Sequence, residues 1–340
     1  MGRVLTILVV AMVVAAGGAA QSSDPWVGSM AVGLGPLILR SQSPLNLLRL
    51  SPTPITPVTV PAGEWVASLM TGWNNYFDYD PTRYLIDAET VRLAFGGIYG
   101  VSSRTDLSIE VPLAYRGGGV MDGFIEGFES SLGVSNRERL RFPRNQFLIR
   151  IVGPDGVILQ RRGAASGWGL EDVVLGLRHQ LARGSETSPS IVASVTAKLP
   201  WGREDALRST GGVDYGISLA VGQRLRSRFH LYATAMLMRY AETDLVGIEL
   251  KRSQVALFAA VEFRKSTRTS YLLQAMTVSP SARDYGGFSR PTYEITAGVK
   301  KVLSRDLMLE AAFLENLFVF DNSPDFGVHV GFIWHPHRHP

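Results

Sequence analysis

The chain contains no cysteine, which excludes a disulfide-stapled secreted scaffold and a lipoprotein acylated on a terminal Cys. It also lacks an apolar run of the roughly 20 residues that a membrane-spanning helix needs. The longest run, Val4 to Ala16 broken only by Thr6, is too short. A dominant charge sign is missing as well: 34 Lys and Arg face 30 Asp and Glu, a net +4, too mild a balance to indicate nucleic acid as a partner. Local catalytic signatures are absent too. Neither Gly-x-Ser-x-Gly nor His-Glu-x-x-His occurs, and no Gly-rich loop suited to phosphate is found.

What is present begins with export. Arg3 precedes the apolar run, and Gly17, Gly18, Ala19 and Ala20 follow it, the pattern of a secretory signal peptide over residues 1–20 cut after Ala20. Residues 21–63 form a leader in which Pro36, Pro44, Pro52, Pro54, Pro57 and Pro61 block regular structure. After Gly63 the texture changes to runs of alternating apolar and polar residues. In 213–226, Val213, Tyr215, Ile217, Leu219 and Val221 point one way, while Asp214, Gly216, Ser218, Ala220 and Gly222 point the other. Alternation of this kind marks strands with two unlike faces.

Twelve such strands are expected, near 64–77, 83–98, 105–116, 168–182, 189–200, 212–226, 228–240, 252–265, 268–279, 290–302, 305–316 and 325–334. Their connections alternate short and long, and the runs reach the 9–11 residues or so that cross a bilayer at a tilt. The expected fold is therefore all-β: an antiparallel transmembrane β-barrel of about twelve strands over residues 64–340. Phe326, Val328, Val330, Phe332 and Trp334 end it on alternate apolar positions. Aromatics near the first hairpin (Trp65, Trp73, Tyr76, Phe77, Tyr79, Tyr84) and the last (Phe318, Phe320, Phe326, Phe332, Trp334) suit a girdle at the bilayer interface.

One insertion, 117–167, breaks the meander. Asp122, Glu126 and Glu129 recur at helical spacing, so a short amphipathic helix is expected over 120–132 with Gly133 as its stop. A hairpin is expected where Gln146–Val152 and Val157–Gln160 flank Gly153-Pro154-Asp155-Gly156. The insertion reads as a lid or inward plug, because long segments in compact domains tend to serve a function. Its three carboxylates are the candidate ligand-binding residues. The plainer alternative is a solvated helix face, with Arg137, Arg139, Arg141 and Arg144 as counter-charges.

Two stretches carry a resemblance to a known family: Gly35-Pro36-Leu37-Ile38-Leu39-Arg40-Ser41-Gln42-Ser43-Pro44-Leu45 and Gly119-Val120-Met121-Asp122-Gly123-Phe124-Ile125-Glu126-Gly127-Phe128. They resemble a family of outer-membrane proteins of unknown function, DUF3187, with Glu129 standing where a His is expected. The resemblance implies a barrel and its location, and no activity.

Of the six His residues, His335, His337 and His339 crowd the C-terminal tail with Pro336 and Arg338 between them, an arrangement better suited to a frayed end than to a metal site. No catalytic residue, metal or cofactor is assigned. The function expected is a channel or carrier for small solutes or apolar molecules in the bacterial outer membrane. Its partners would be outer-membrane lipid, the barrel-assembly machinery and a small-molecule ligand. The rivals are a lipid hydrolase or acyltransferase, with a Ser and His179 or His230 as its site, and a structural or adhesive barrel.

Overall fold

The computed structural model describes residues 33–131, 139–153, 155–156, 158–161, 166–315 and 322–336. The expected signal peptide, Gly133, Arg137, Phe318, Phe320, His337 and His339 lie outside the described residues. Twelve antiparallel strands follow one another as neighbours: β1 (Trp65–Asp80), β2 (Tyr84–Ser102), β3 (Thr105–Gly117), β4 (Val173–Ala182), β5 (Ser190–Leu199), β6 (Asp214–Arg226), β7 (Phe229–Arg239), β8 (Ser253–Ser266), β9 (Thr269–Val278), β10 (Thr292–Val302), β11 (Leu307–Glu315) and β12 (Phe326–Trp334). Closure comes from β1 and β12, paired from Ala67 opposite Trp334 to Asn75 opposite Phe326. These are the twelve strands that the alternation marks, and closing the ring leaves no free sheet edge in lipid.

The alternation sorts the side chains cleanly. In β8, Val255 and Val261 are exposed on the outside, whereas Gln254, Ala256, Ala260 and Glu262 are buried on the inside. Around the wall Phe95, Ile109, Leu175, Val195, Ile217 and Leu273 continue the exposed apolar surface, as a barrel facing hydrocarbon requires. Two broad hollows of about 490 and 580 Å³ lie on this outer face, one beside Leu177, Val195 and Leu237, the other beside Trp65, Tyr99 and Ile109.

Aromatics collect at both rims. Trp65, Tyr99, Phe229, Tyr271 and Trp334 are exposed near the end with the short turns, and Tyr115, Trp168, Trp201, Tyr215 and Tyr293 near the other. At the β1–β12 seam Trp65 and Trp334 meet edge to face at 4.8 Å. The girdles thus encircle the barrel. Tyr76 and Tyr84, expected among them, are instead buried in an inner cluster above the membrane wall, because β1 and β2 run 16 and 19 residues and project beyond their neighbours.

The insertion divides in two. Helix α2 (Asp122–Ser131) lies against the outer wall: Met121 and Ile125 pack on Phe326 and Val328, which share a face of β12 with exposed Phe332 and Trp334. This half of the insertion is therefore neither lid nor inward plug, and the closing part falls to the hairpin. The hairpin forms as expected, with Leu148–Val152 pairing both with β2 and with Ile158–Arg161. Ile149 and Ile151 turn inward and close the long-loop end with Leu207, Ile248, Tyr285 and Phe288. Burial pushes the Tyr285 hydroxyl up to about 12, and its oxygen stands 2.7 and 2.8 Å from the carbonyls of Arg83 and Val152.

Leu219 sits near the middle of β6 on the exposed face, so Leu219→Arg should destabilise the barrel by about 2–4 kcal/mol. Denaturant unfolding in lipid vesicles measures this, and an unchanged midpoint would contradict lipid contact at that site.

Candidate functional site

The described part of the leader is the plug. Residues 33–63 run inside the barrel, joined to the sheet by no strand pairing. Leu34 packs with Met70, Val302, Met308 and Ile333 near the short-turn end. Leu37 then rests on Leu272 and Ala312. At the long-loop end the chain turns through helix α1 (Pro44–Leu48), whose Leu45 and Leu48 join the cluster under the hairpin. It returns along Leu50, beside Met238, Tyr240 and Val278, to Val60 and β1. The two arms touch where the Ser41 amide donates to the Pro52 carbonyl at 3.1 Å.

Sequence explains this path locally. The six prolines keep the arms extended and remove backbone donors that would otherwise need partners. Pro44 opens α1 in the first helical turn, where its missing N–H costs nothing. Glycines on the inner wall make room: a Cβ on Gly298 would lie 2.8 Å from Leu37 Cδ1, and one on Gly216 3.0 Å from Leu50 Cδ2. The turn at Gly33 requires glycine twice over, with φ of 72° and a Cβ position 2.2 Å from the Glu262 carboxylate.

The arms' amides are held by side chains of the wall. The Leu34 amide donates to Glu262 at 3.0 Å, Ile38 to Glu310 at 3.0 Å, and Gln42 to Glu294 at 2.8 Å. On the return arm Leu50 donates to Asp214 at 2.9 Å, Thr59 to Gln180 at 2.9 Å, and Val60 to Asp106 at 2.7 Å. Hydrogen bonds to charged acceptors each contribute about 1.5–3 kcal/mol, so this row anchors the segment without any β-ladder.

Most wall charges neutralise one another across neighbouring strands. Arg92 bridges Glu110 at 2.6 Å and Glu171 at 2.7 Å, and Arg178 holds Asp106 at 2.6 Å. Lys198 lies between Asp172 and Asp214. Glu310 receives Lys300 at 3.1 Å and His329 at 2.6 Å. From the plug, Arg40 reaches Glu110 at 3.4 Å and Arg49 stacks 3.4 Å over the Tyr240 ring. Between plug and wall, Ile38, Arg40, Met70, Arg92 and His329 line a cavity of about 20 Å³, room for about one water and not for a solute.

Two of the three expected carboxylates are described, and each is paired with its own arginine. Asp122 is buried, receives Asn75 at 2.9 Å and the Asn145 amide at 2.6 Å, and pairs with Arg139, which also holds Asp325 at 2.7 Å. Glu126 pairs with Arg144 near the surface. Glu129 lies in α2, and its side chain is outside the described residues. The counter-charge alternative thus applies to Arg139 and Arg144. Beside this cluster Glu89, also on the outer face, accepts Trp73 Nε1 and the amides of Val120 and Met121. The insertion is latched to the wall there, and the second family stretch is the latch.

Among the histidines, His230 and His329 face the lumen, His179 faces outward beside the Thr105 hydroxyl, and His335 pairs with Glu64. Among the described residues no three His, Asp or Glu side chains are grouped to hold a metal. Sequence reasoning missed Glu262, Glu294 and the plug's leucines. The readable signal was a leader carrying six leucines between Leu34 and Leu48 and no acid from residue 33 to 63, unlike a solvated tail.

A family model described as Protein of unknown function (DUF3187) matches residues 6–335. No curated protein matches the chain. Among solved structures it resembles the COG4313 outer membrane channel from Pseudomonas putida F1, at 13% identity, with a TM-score of 0.56, 83% of this chain and 99% of that one covered. The NanC porin aligns at 10% identity, TM-score 0.46, over 80% of this chain and 100% of that one. These likenesses concern the fold.

Removing Arg139 strands Asp122 and Asp325, and breaking a buried pair from one side costs about 3–5 kcal/mol. Arg139→Ala should therefore expose residues 118–166 to protease while the barrel stays folded. Unchanged cleavage would show that the latch lies elsewhere.

Proposed function

This chain belongs to the DUF3187 family, and we propose that it is an outer-membrane channel for small solutes held closed by its own N-terminal segment. The observation that carries the reading is the kind of contact the plug makes. Apart from Gly63, whose amide donates to the Gly100 carbonyl where the segment runs into β1, it meets the wall through side chains and belongs to no strand pairing, so it can leave while all twelve strand pairings persist. The gap between plug and wall holds about one water, so passage depends on displacing residues 33–63. A lumen lined by Arg92, Lys198, Glu294 and Lys300 suits polar solutes once wetted.

The tight packing also favours a second reading, a structural barrel in which the plug serves as a permanent core. Planar-bilayer recording separates the two. The full chain should be nearly silent, and a variant lacking residues 33–63 should conduct. Leu37→Ala with Leu50→Ala provides a milder opening that spares the wall, since each buried leucine is worth about 2–5 kcal/mol. Silence of both variants in folded form would favour the structural barrel.

A further inference from the structure

The wall charges do not all balance among themselves. Glu262 and Glu294 stand apart from the ion pairs described above, and both are buried on the inner face. Glu262 is held by the hydroxyls of Tyr232 and Ser270 and by the Leu34 amide. Glu294 is held by the Ser41 hydroxyl at 3.0 Å and the Gln42 amide at 2.8 Å, both on one carboxylate oxygen. No ion pair to either carboxylate is formed among the described residues. On the cationic side Arg264, near the short-turn rim, donates to the Thr267 carbonyl at 2.9 Å.

The plug offsets this imbalance. Residues 33–63 contain two arginines, Arg40 and Arg49, and no acidic residue. They also bring N–H donors to Glu262, Glu294, Glu310, Asp214 and Asp106. When the segment leaves, those acceptors meet water, where a Glu side chain ionises near pH ~4.3. Glu262 and Glu294 then add negative charge at two heights of one sector, since Glu262 faces Leu272 and Glu294 faces Met276, with Gln274 between those two on β9. A narrow passage with low-dielectric walls concentrates counter-ions of the opposite sign.

We infer that the opened lumen selects cations, and among organic solutes those carrying N–H donors, with Glu262 and Glu294 as its selectivity-determining residues. This rests on the plugged-channel reading and names its substrate class. The plug occupies the site as a stand-in for such a solute: amide donors on the carboxylates, and a guanidinium beside Glu110.

The test is the reversal potential of the variant lacking residues 33–63 under a low-salt KCl gradient, where screening is weak. The Leu37→Ala, Leu50→Ala variant serves if the deletion does not assemble. A several-fold preference for K⁺ over Cl⁻ is expected, and it should collapse toward parity when Glu262→Gln and Glu294→Gln are added to the same background. Equal permeation or Cl⁻ preference before those substitutions overturns the inference and leaves the channel reading standing. A preference unchanged by them overturns the assignment to these two residues, and no current from any folded unplugged variant overturns both readings.

Discussion

A peptide threaded through a barrel without joining its sheet brings backbone N–H groups into a dry interior, where each needs an acceptor. The whole inner face is arranged around that requirement. Prolines reduce the number of donors, and the carboxylates of Asp106, Asp214, Glu262, Glu294 and Glu310 take several of those that remain. Carboxylates buried for this purpose need stabilisation of their own. Arg178, Lys198 and Lys300 provide it for three of the five; Glu262 is held by the wall hydroxyls of Tyr232 and Ser270 together with the plug, and Glu294 by the plug.

The same requirement accounts for the inner glycines and for the shape of the plug. Gly216 and Gly298 leave hollows that Leu50 and Leu37 fill, so apolar contact adds to polar anchoring at the same heights. Both arms end at the short-turn rim, while the α1 turn is packed under the loops and the hairpin. Attachment and closure are thereby divided between the two ends: the loops cover the tip, and the wall grips the arms.

On the outside, α2 and its latch satisfy a different need. Asn75 and Glu89 are polar groups on the outer face of strands whose outward side chains nearer the short-turn end are mostly apolar. Asp122, Arg139 and the amides of Val120 and Met121 supply their partners. The helix still exposes Phe124, at 57%, and the approach to it exposes Val120, at 71%, beside the upper aromatic girdle.

The strands and their order were legible because a residue-by-residue alternation has one geometric meaning in a sheet. The prolines, expected to block regular structure throughout the leader, did not reveal helix α1 at Pro44–Leu48, whereas the helix and hairpin of the insertion were legible from spacing and turn residues. The placement of the leader and the insertion was not. A charged inner face looks the same in sequence whether water or peptide covers it, so alternation in β6 or β8 could not reveal that residues 33–63 fill the lumen. Likewise Asp122, Glu126 and Glu129 at helical spacing define a face of α2 and not what that face meets. Sequence by itself determined the local periods, the strand count and the charge inventory, since these depend on neighbouring residues. Only the closed barrel decided which carboxylates hold the plug and which wall the helix covers, because those partners lie up to hundreds of residues apart and meet only when β1 pairs with β12.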